Sequence, residues 1–304
     1  MDGKTNKALI IIQTFRPPFL VLTPICLFLA ISLAKFHGVK IDVSLSCLIL
    51  LTALCAHISV NTLNEYLDFK SGLDLKTQRT PFSGGSGTLP MHPELAVIVM
   101  WIGLLTLGST VLLGLYFVLC INAALLWLGI LGVAVVAAYT TWLNRSPLLC
   151  LIAPGVGFST VMVLGTYLVF SMQIPTDVLL LSLVPFFQIN NLLLLNQFPD
   201  IDADKSIGRS TFPIRYGTKT SSIIYAVCAI APYWMIFYLA FNQFIPQTSL
   251  IATLTLPLAL FSLKGALTYG SSIGSHSIYL ATNVACTLLT PLILAISLFS
   301  DVFR

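Results

Sequence analysis

Nine apolar runs dominate this chain, each close to the 20 or so residues that an α-helix needs to cross a bilayer. They fall near 17–36, 43–66, 94–117, 120–141, 147–171, 177–198, 220–242, 248–268 and 277–299. Each is apolar on every side, with none of the ten-residue alternation of a membrane β-strand, so helices are the expected element. Of the 304 residues, 57% are hydrophobic and 9% charged. That is too little polar surface to wrap a soluble core of this length. The expected architecture is all-α and polytopic, a single domain over 1–304. The opening MDGKTNKALIIIQTFRPPF has a basic end but no small-residue cleavage site, and reads as mature sequence rather than a signal peptide.

Charge placement gives an orientation. An odd number of spans puts the termini on opposite sides. With the N-terminus in the cytoplasm, Lys4, Lys7, Arg16, Lys70, Lys76, Arg79, Arg145, Lys205, Arg209, Arg215, Lys219 and Lys264 fall inside, and only Lys35, Lys40 and Arg304 outside. The positive-inside rule therefore predicts an N-in protein of a cell membrane, its two long polar loops (67–93 and 199–219) facing the cytoplasm. The net charge of +4 points to no nucleic-acid partner. The seven cysteines, Cys26, Cys47, Cys55, Cys120, Cys150, Cys228 and Cys286, have no CxxC spacing and read as buried free thiols.

The acids are concentrated. Of eleven, six lie in two clusters: Glu65, Asp68 and Asp74 in NEYLDFKSGLD, and Asp200, Asp202 and Asp204 in NQFPDIDADKSIGR. Charges at the edge of a bilayer are costly and usually functional. Asn64 and Asp68 stand one helical turn apart on one face. Asn196, Asp200 and Asp204 repeat that step twice and cover about 12 Å if the helix continues, with Pro199 a possible kink. The two Asn-x-x-x-Asp steps are offset by 132 residues, which predicts a duplicated four-helix unit, about 17–141 and 147–268, followed by a ninth helix. Carboxylates with room for phosphate oxygens describe a Mg²⁺ site, and Lys70, Lys76, Arg79, Lys205, Arg209 and Arg215 stand beside them. Salt-bridged loops are the plainer alternative. The Gly/Ser stretch PFSGGSGTLP (Pro81–Pro90) lacks the ending of a P-loop, and is either an anion-binding loop or a flexible connector.

These motifs resemble the UbiA superfamily of membrane prenyltransferases. Asn64-x-x-x-Asp68 with Gly72-x-Asp74 is similar to the MenA branch, whose members prenylate 1,4-dihydroxy-2-naphthoate in menaquinone biosynthesis. Asn196-x-x-x-Asp200-x-x-x-Asp204, then Gly208-Arg209 and Ile214-Arg215-Tyr216-Gly217, matches the other Asp-rich loop, and Tyr139-Thr140 and Gly165-Thr166-Tyr167 are also MenA-like. The resemblance covers the chain from about Arg16 to the ninth span. The WLNRSPLLCLIAPGVGF stretch, which holds no acid, and Phe198-Pro199 depart from the pattern.

The resemblance implies nine helices around a central cavity, capped by the two Asp-rich loops and open sideways to membrane lipid. It implies a prenyl diphosphate donor, an aromatic acceptor, and two Mg²⁺ ions held by Asn64, Asp68, Asp74, Asn196, Asp200 and Asp204, with the four aspartates catalytic. Lys70, Arg79, Lys205 and Arg209 are then expected to meet phosphate. Two readings stand for Arg16, contact with diphosphate or acceptor and an interface anchor, and two for Tyr139, a π face for the allyl cation and a belt tyrosine. His57 is expected to make a helix–helix hydrogen bond. A secondary transporter built from repeated helical units is the rival class, and a prenyltransferase with a non-aromatic lipid acceptor is the other alternative.

Overall fold

The computed structural model describes residues 7–302, so Lys4 and Arg304 lie outside the described residues. The helices are α1 (Lys7–Gln13), α2 (Pro17–Phe36), α3 (Val43–Ser71), α4 (Thr88–Met91), α5 (Pro93–Cys120), α6 (Leu125–Ala138), α7 (Pro147–Phe170), α8 (Thr176–Asn196), α9 (Ile201–Ser206), α10 (Phe212–Phe241), α11 (Gln247–Ser275) and α12 (Ser277–Asp301). Eight of them are long and apolar enough to cross a membrane. The predicted fourth span is the exception. Its helix, α6, has 14 residues and covers about 21 Å at 1.5 Å per residue. Turns before and after it take up the rest of the apolar run.

Helix ends sort into two layers. At one end, Arg16 before α2, the close of α3, the turn after α6, the start of α7 and the close of α8 come together. At the other end, His37 after α2 meets Tyr167 of α7 and Asp177 of α8, and Asn122 before α6 bonds the Leu168 carbonyl. The chain therefore passes between the two ends along α6 despite its shortness.

Local sequence explains the breaks. Asp42 caps α3, its Oδ1 accepting from the Leu45 amide at 2.8 Å. Gly72 closes it at φ +75°, a conformation that costs a side chain dearly and glycine nothing. The helix expected to carry Asn196, Asp200 and Asp204 together does not continue. It ends at Asn196, Pro199 has no amide to extend it, and α9 starts afresh after Asp200. Pro154 disrupts α7 likewise. The Gly155 amide donates to Asn190 Oδ1 at 2.7 Å, and Val156–Val163 widens into a π-helical stretch, a feature frequent at functional sites.

The packed cores lie mainly among α2, α7, α8, α10, α11 and α12. Outward-facing Leu105, Leu112, Trp127 and Phe241 present apolar surface, as lipid-facing positions do. Cys26, Cys150 and Cys286 are buried, whereas Cys47 and Cys120 are exposed, contrary to the expectation of uniformly buried thiols. A thiol is apolar enough to face lipid.

Candidate active site

A cavity of about 810 Å³ opens at the end where the acids gather. All its lining residues lie between Arg16 and Thr211, so α10, α11 and α12 are not part of its lining. Along α3 the wall reads Ile49, Ala53, Ala56, Val60, Asn64 and Asp68, a stripe at helical spacing that runs about 28 Å from apolar floor to acidic rim. Gly129 and Gly132 of α6 and Gly157 of the widened turn keep another stretch of wall slim, and Phe158 adds a ring beside them. His57 lines this cavity while its Nδ1 meets Thr23 Oγ1 at 2.8 Å and its ring packs edge-on against Phe158.

The rim joins the two acid clusters. Asn64 Nδ2 donates to Asp68 Oδ2 at 2.9 Å, and Thr140 Oγ1 donates to Asn64 Oδ1 at 3.0 Å. The Arg209 guanidinium spans the clusters: Nη1 donates to Asp204 Oδ1 at 2.8 Å, and Nη2 donates to Asp68 Oδ1. Asp74, Asn196 and Asp200 line the same space. Burial, reinforced by Glu65 and Asp68, pushes the Asp74 carboxyl up to about 7. Burial and neighbouring Asp204 push Asp200 to about 7 as well. Asp204 is raised by burial, against the pull of Arg209. Burial works to lower the Arg209 pKa, but its two carboxylate partners outweigh it and hold the guanidinium above its ordinary value.

The donor set fits a hard divalent cation. Asp74 Oδ2, Asn196 Oδ1 and Asp200 Oδ1 are buried oxygens without a partner. A buried polar atom left unpaired is costly, and three residues that carry such acceptors and line one cavity call for cations or donors there. Among the described residues no three His, Cys, Asp or Glu side chains close into a cage of their own. That suits Mg²⁺, which takes one or two carboxylates and completes its octahedron with water and substrate phosphate.

Several sequence-predicted residues are elsewhere. Lys70, Arg79 and Lys205 are exposed and do not line the cavity. Arg79 Nη2 donates to the Ser86 carbonyl instead. Lys205 is exposed on α9, and because that helix stops at Ser206, Arg209 returns to the rim through a turn, its amide donating to the Asp204 carbonyl. Arg16 and Tyr139 do line the cavity, and burial pushes the Tyr139 hydroxyl pKa up. Sequence reasoning grouped Glu65 with the acids but gave it no role. It is fully buried and pairs with Arg16 at 2.9 Å. The signal was present in Asn61 and Glu65, a second Asn/acid pair four residues apart. Thr140 was noted only for its resemblance to the family motif, and its bond to Asn64 had no signal in the sequence.

Comparison with known proteins gives the family and the fold. Residues 21–272 match the model of the UbiA prenyltransferase family. A 1,4-dihydroxy-2-naphthoate octaprenyltransferase of Bacillus subtilis (strain 168) is 28% identical over 240 residues, 77% of this chain and 74% of that one. A digeranylgeranylglyceryl phosphate synthase structure superposes with a TM-score of 0.69 at 15% identity, covering 97% of this chain and 100% of that one. A UbiA homolog from Archaeoglobus fulgidus, bound to DMAPP and Mg²⁺, gives 0.62 at 14%, covering 95% and 99%. With acids converging on an apolar cavity and a family match over most of its length, the chain belongs to the UbiA prenyltransferase family and is a membrane prenyltransferase.

Proposed function

We propose that the chain transfers a prenyl group from an allylic diphosphate bound at the acidic rim, with the prenyl tail lying along the apolar cavity. The carrying observation is the set of partnerless buried oxygens on Asp74, Asn196 and Asp200 at the mouth of that cavity. The Archaeoglobus homolog bound to DMAPP and Mg²⁺ supports the same reading. Asp68, Asp74, Asp200 and Asp204, with Asn64 and Asn196, would hold the metal, and four carboxylates balance the charge of two ions. Mg²⁺ supplies Lewis-acid pull on the departing diphosphate. Arg209 adds fixed positive charge where negative charge develops. The Tyr139 ring offers a π face to the allyl cation, and the apolar walls keep water from quenching it.

Two acceptor classes have support. The Bacillus relative acts on a dihydroxynaphthoate, an aromatic acid. The structure with the higher superposition score makes a glyceryl phosphate lipid, and an apolar cavity suits a non-aromatic lipid acceptor equally. In our reading the whole chain works as one domain, with α6 as the ninth crossing and the acidic rim in the cytoplasm with the N-terminus. Purified protein in lipid nanodiscs, given geranylgeranyl diphosphate with an aromatic and a glyceryl phosphate acceptor, tests this directly. Prenylated product and diphosphate should appear with Mg²⁺ and disappear with EDTA. Metal-independent turnover, or none with any prenyl diphosphate, would refute it. Protease access to the 67–93 loop from the cytoplasmic side alone tests the orientation.

A further inference from the structure

Helix α3 carries two Asn/acid pairs, and only one of them belongs to the metal rim. Asn64 and Asp68 face Arg209. Asn61 and Glu65 stand three residues earlier, about 60° around the helix, and hold a different group of atoms. Asn61 Nδ2 donates to the Phe15 carbonyl at 2.9 Å. Glu65 Oε1 accepts from Arg16 Nε at 3.1 Å, Arg16 Nη2 at 2.9 Å and the Ser86 amide at 2.7 Å. Its Oε2 accepts from Ser86 Oγ at 2.7 Å. A buried carboxylate persists only where it is paired this completely. The grip also holds Arg16 at φ 53°, ψ 62°, a left-handed backbone that a residue with a side chain adopts at a cost.

This grip leaves one edge of the Glu65-paired Arg16 guanidinium beside the metal rim. Arg16, Asn61, Gly84 and Gly85 all line the cavity there. Gly85 is at φ +74°, and a Cβ on it would lie 3.1 Å from Asp74 Oδ1 and 3.7 Å from Arg16 Nη2, so the loop backbone is pressed against both. Among the described residues, Arg16 Nη1 and the amides of Gly84 and Gly85 have no partner. A guanidinium edge and free amides in one partly buried corner recognise a carboxylate or phosphate.

We infer that this corner takes the anionic group of the acceptor, and that Glu65 is the positioning residue that aims Arg16 and the Gly84–Ser86 segment at it. The inference rests on the prenyltransferase reading and covers both acceptor classes, since each carries an anion. The neighbouring stripes of α3 then set acceptor beside donor.

Glu65→Gln in the full-length protein is the test, because the amide keeps the shape and one acceptor oxygen but loses the charge. Two comparisons are made at saturating geranylgeranyl diphosphate and Mg²⁺: 1,4-dihydroxy-2-naphthoate against its methyl ester, and a prenylated glyceryl phosphate against its dephosphorylated form. Wild type should prefer the anion. In Glu65→Gln the KM for the anionic acceptor should rise about 5- to 20-fold, less than a lost charge-assisted hydrogen bond because Arg16 remains and is only misaimed, with the diphosphate KM within about twofold. The preference for anion over neutral analogue should shrink by the same factor. Arg16→Gln should abolish the preference, and the double variant should match Arg16→Gln alone. An unchanged anion preference in both single variants, or equal rises in donor and acceptor KM, overturns the inference. Wild type that binds no prenyl diphosphate fails the prenyltransferase reading instead.

Discussion

The first two-thirds of the chain and the last third solve different problems with the same apolar alphabet. Helices α3 and α5 have only 22% of their most apolar window buried, and with α6 they surround a cavity. Helices α10, α11 and α12 leave no comparable space. Their polar side chains bond to one another, Tyr225 Oη donating to Asn283 Oδ1 at 2.9 Å and Thr255 meeting Thr290 at 2.6 Å, and Asn191 of α8 ties on by donating its Nδ2 to the Tyr225 carbonyl at 2.9 Å. In lipid there is no hydrophobic drive between helices, so close packing and such bonds hold them together. The difference teaches that polar atoms buried in this membrane protein serve two ends. Many bind helices together, while the unpaired oxygens of Asp74, Asn196 and Asp200 belong to residues that line the cavity.

Breaking that division should give effects of very different size. Asp68→Ala and Asp200→Ala should each lower turnover by about three orders of magnitude or more, since a metal's charge stabilisation is worth several kcal/mol, while thermal unfolding in detergent stays cooperative. Near wild-type turnover in either variant at saturating Mg²⁺ would dissolve the rim as a site. Arg209→Gln should lower kcat/KM for the prenyl diphosphate by about 10- to 100-fold, the value of a charge-assisted hydrogen bond, with the acceptor KM steady. Arg209→Lys should restore only part, because an ammonium cannot fork between two oxygens.

In the packed third the outcome should invert. Asn283→Leu should cost about 1–2 kcal/mol of stability, read from denaturant unfolding, and leave kcat per folded molecule unchanged. A loss of kcat without loss of stability would show that the packed helices do more than support. The smallest effects belong to Lys70→Ala and Lys205→Ala, both expected within about twofold in steady-state kinetics. A tenfold loss in either would mean that the cap loops close over the diphosphate from outside.

Much of this was legible in the residues themselves. Lipid crossing follows from run length alone, and the acids stood out because a bilayer edge tolerates charge only with a reason. What was hidden depended on contacts between distant segments. Nothing local in Lys205 and Arg209 tells which one turns inward. Pro199 and the stop at Ser206 decide it, by ending two helices that spacing alone would have continued. Which helices wall the cavity was equally hidden, because walling and packed helices are alike largely apolar and the contacts between them decide it. The matched steps at Asn64 and Asn196 remain, yet one continues as unbroken helix and the other breaks, so equal spacing did not mean equal backbone.

The rim also has a timetable. Glu65 finds Arg16 only 49 residues behind it in the chain, so its partner exists before α3 is made. Asp68 must wait for Arg209, 141 residues ahead. At translation rates of about 5–20 residues per second that interval is roughly 7–28 seconds. Through it, an acid later held by a guanidinium sits at the edge of half-assembled helices with Asn64 as its one side-chain partner. Helix α3 is thus made early, and its acid remains electrostatically unfinished until helices α4 to α9 have followed it. Ribosome-stalled chains ending before residue 209 should leave Asp68 reactive to carbodiimide, and chains extending past the ribosome exit beyond it should protect it.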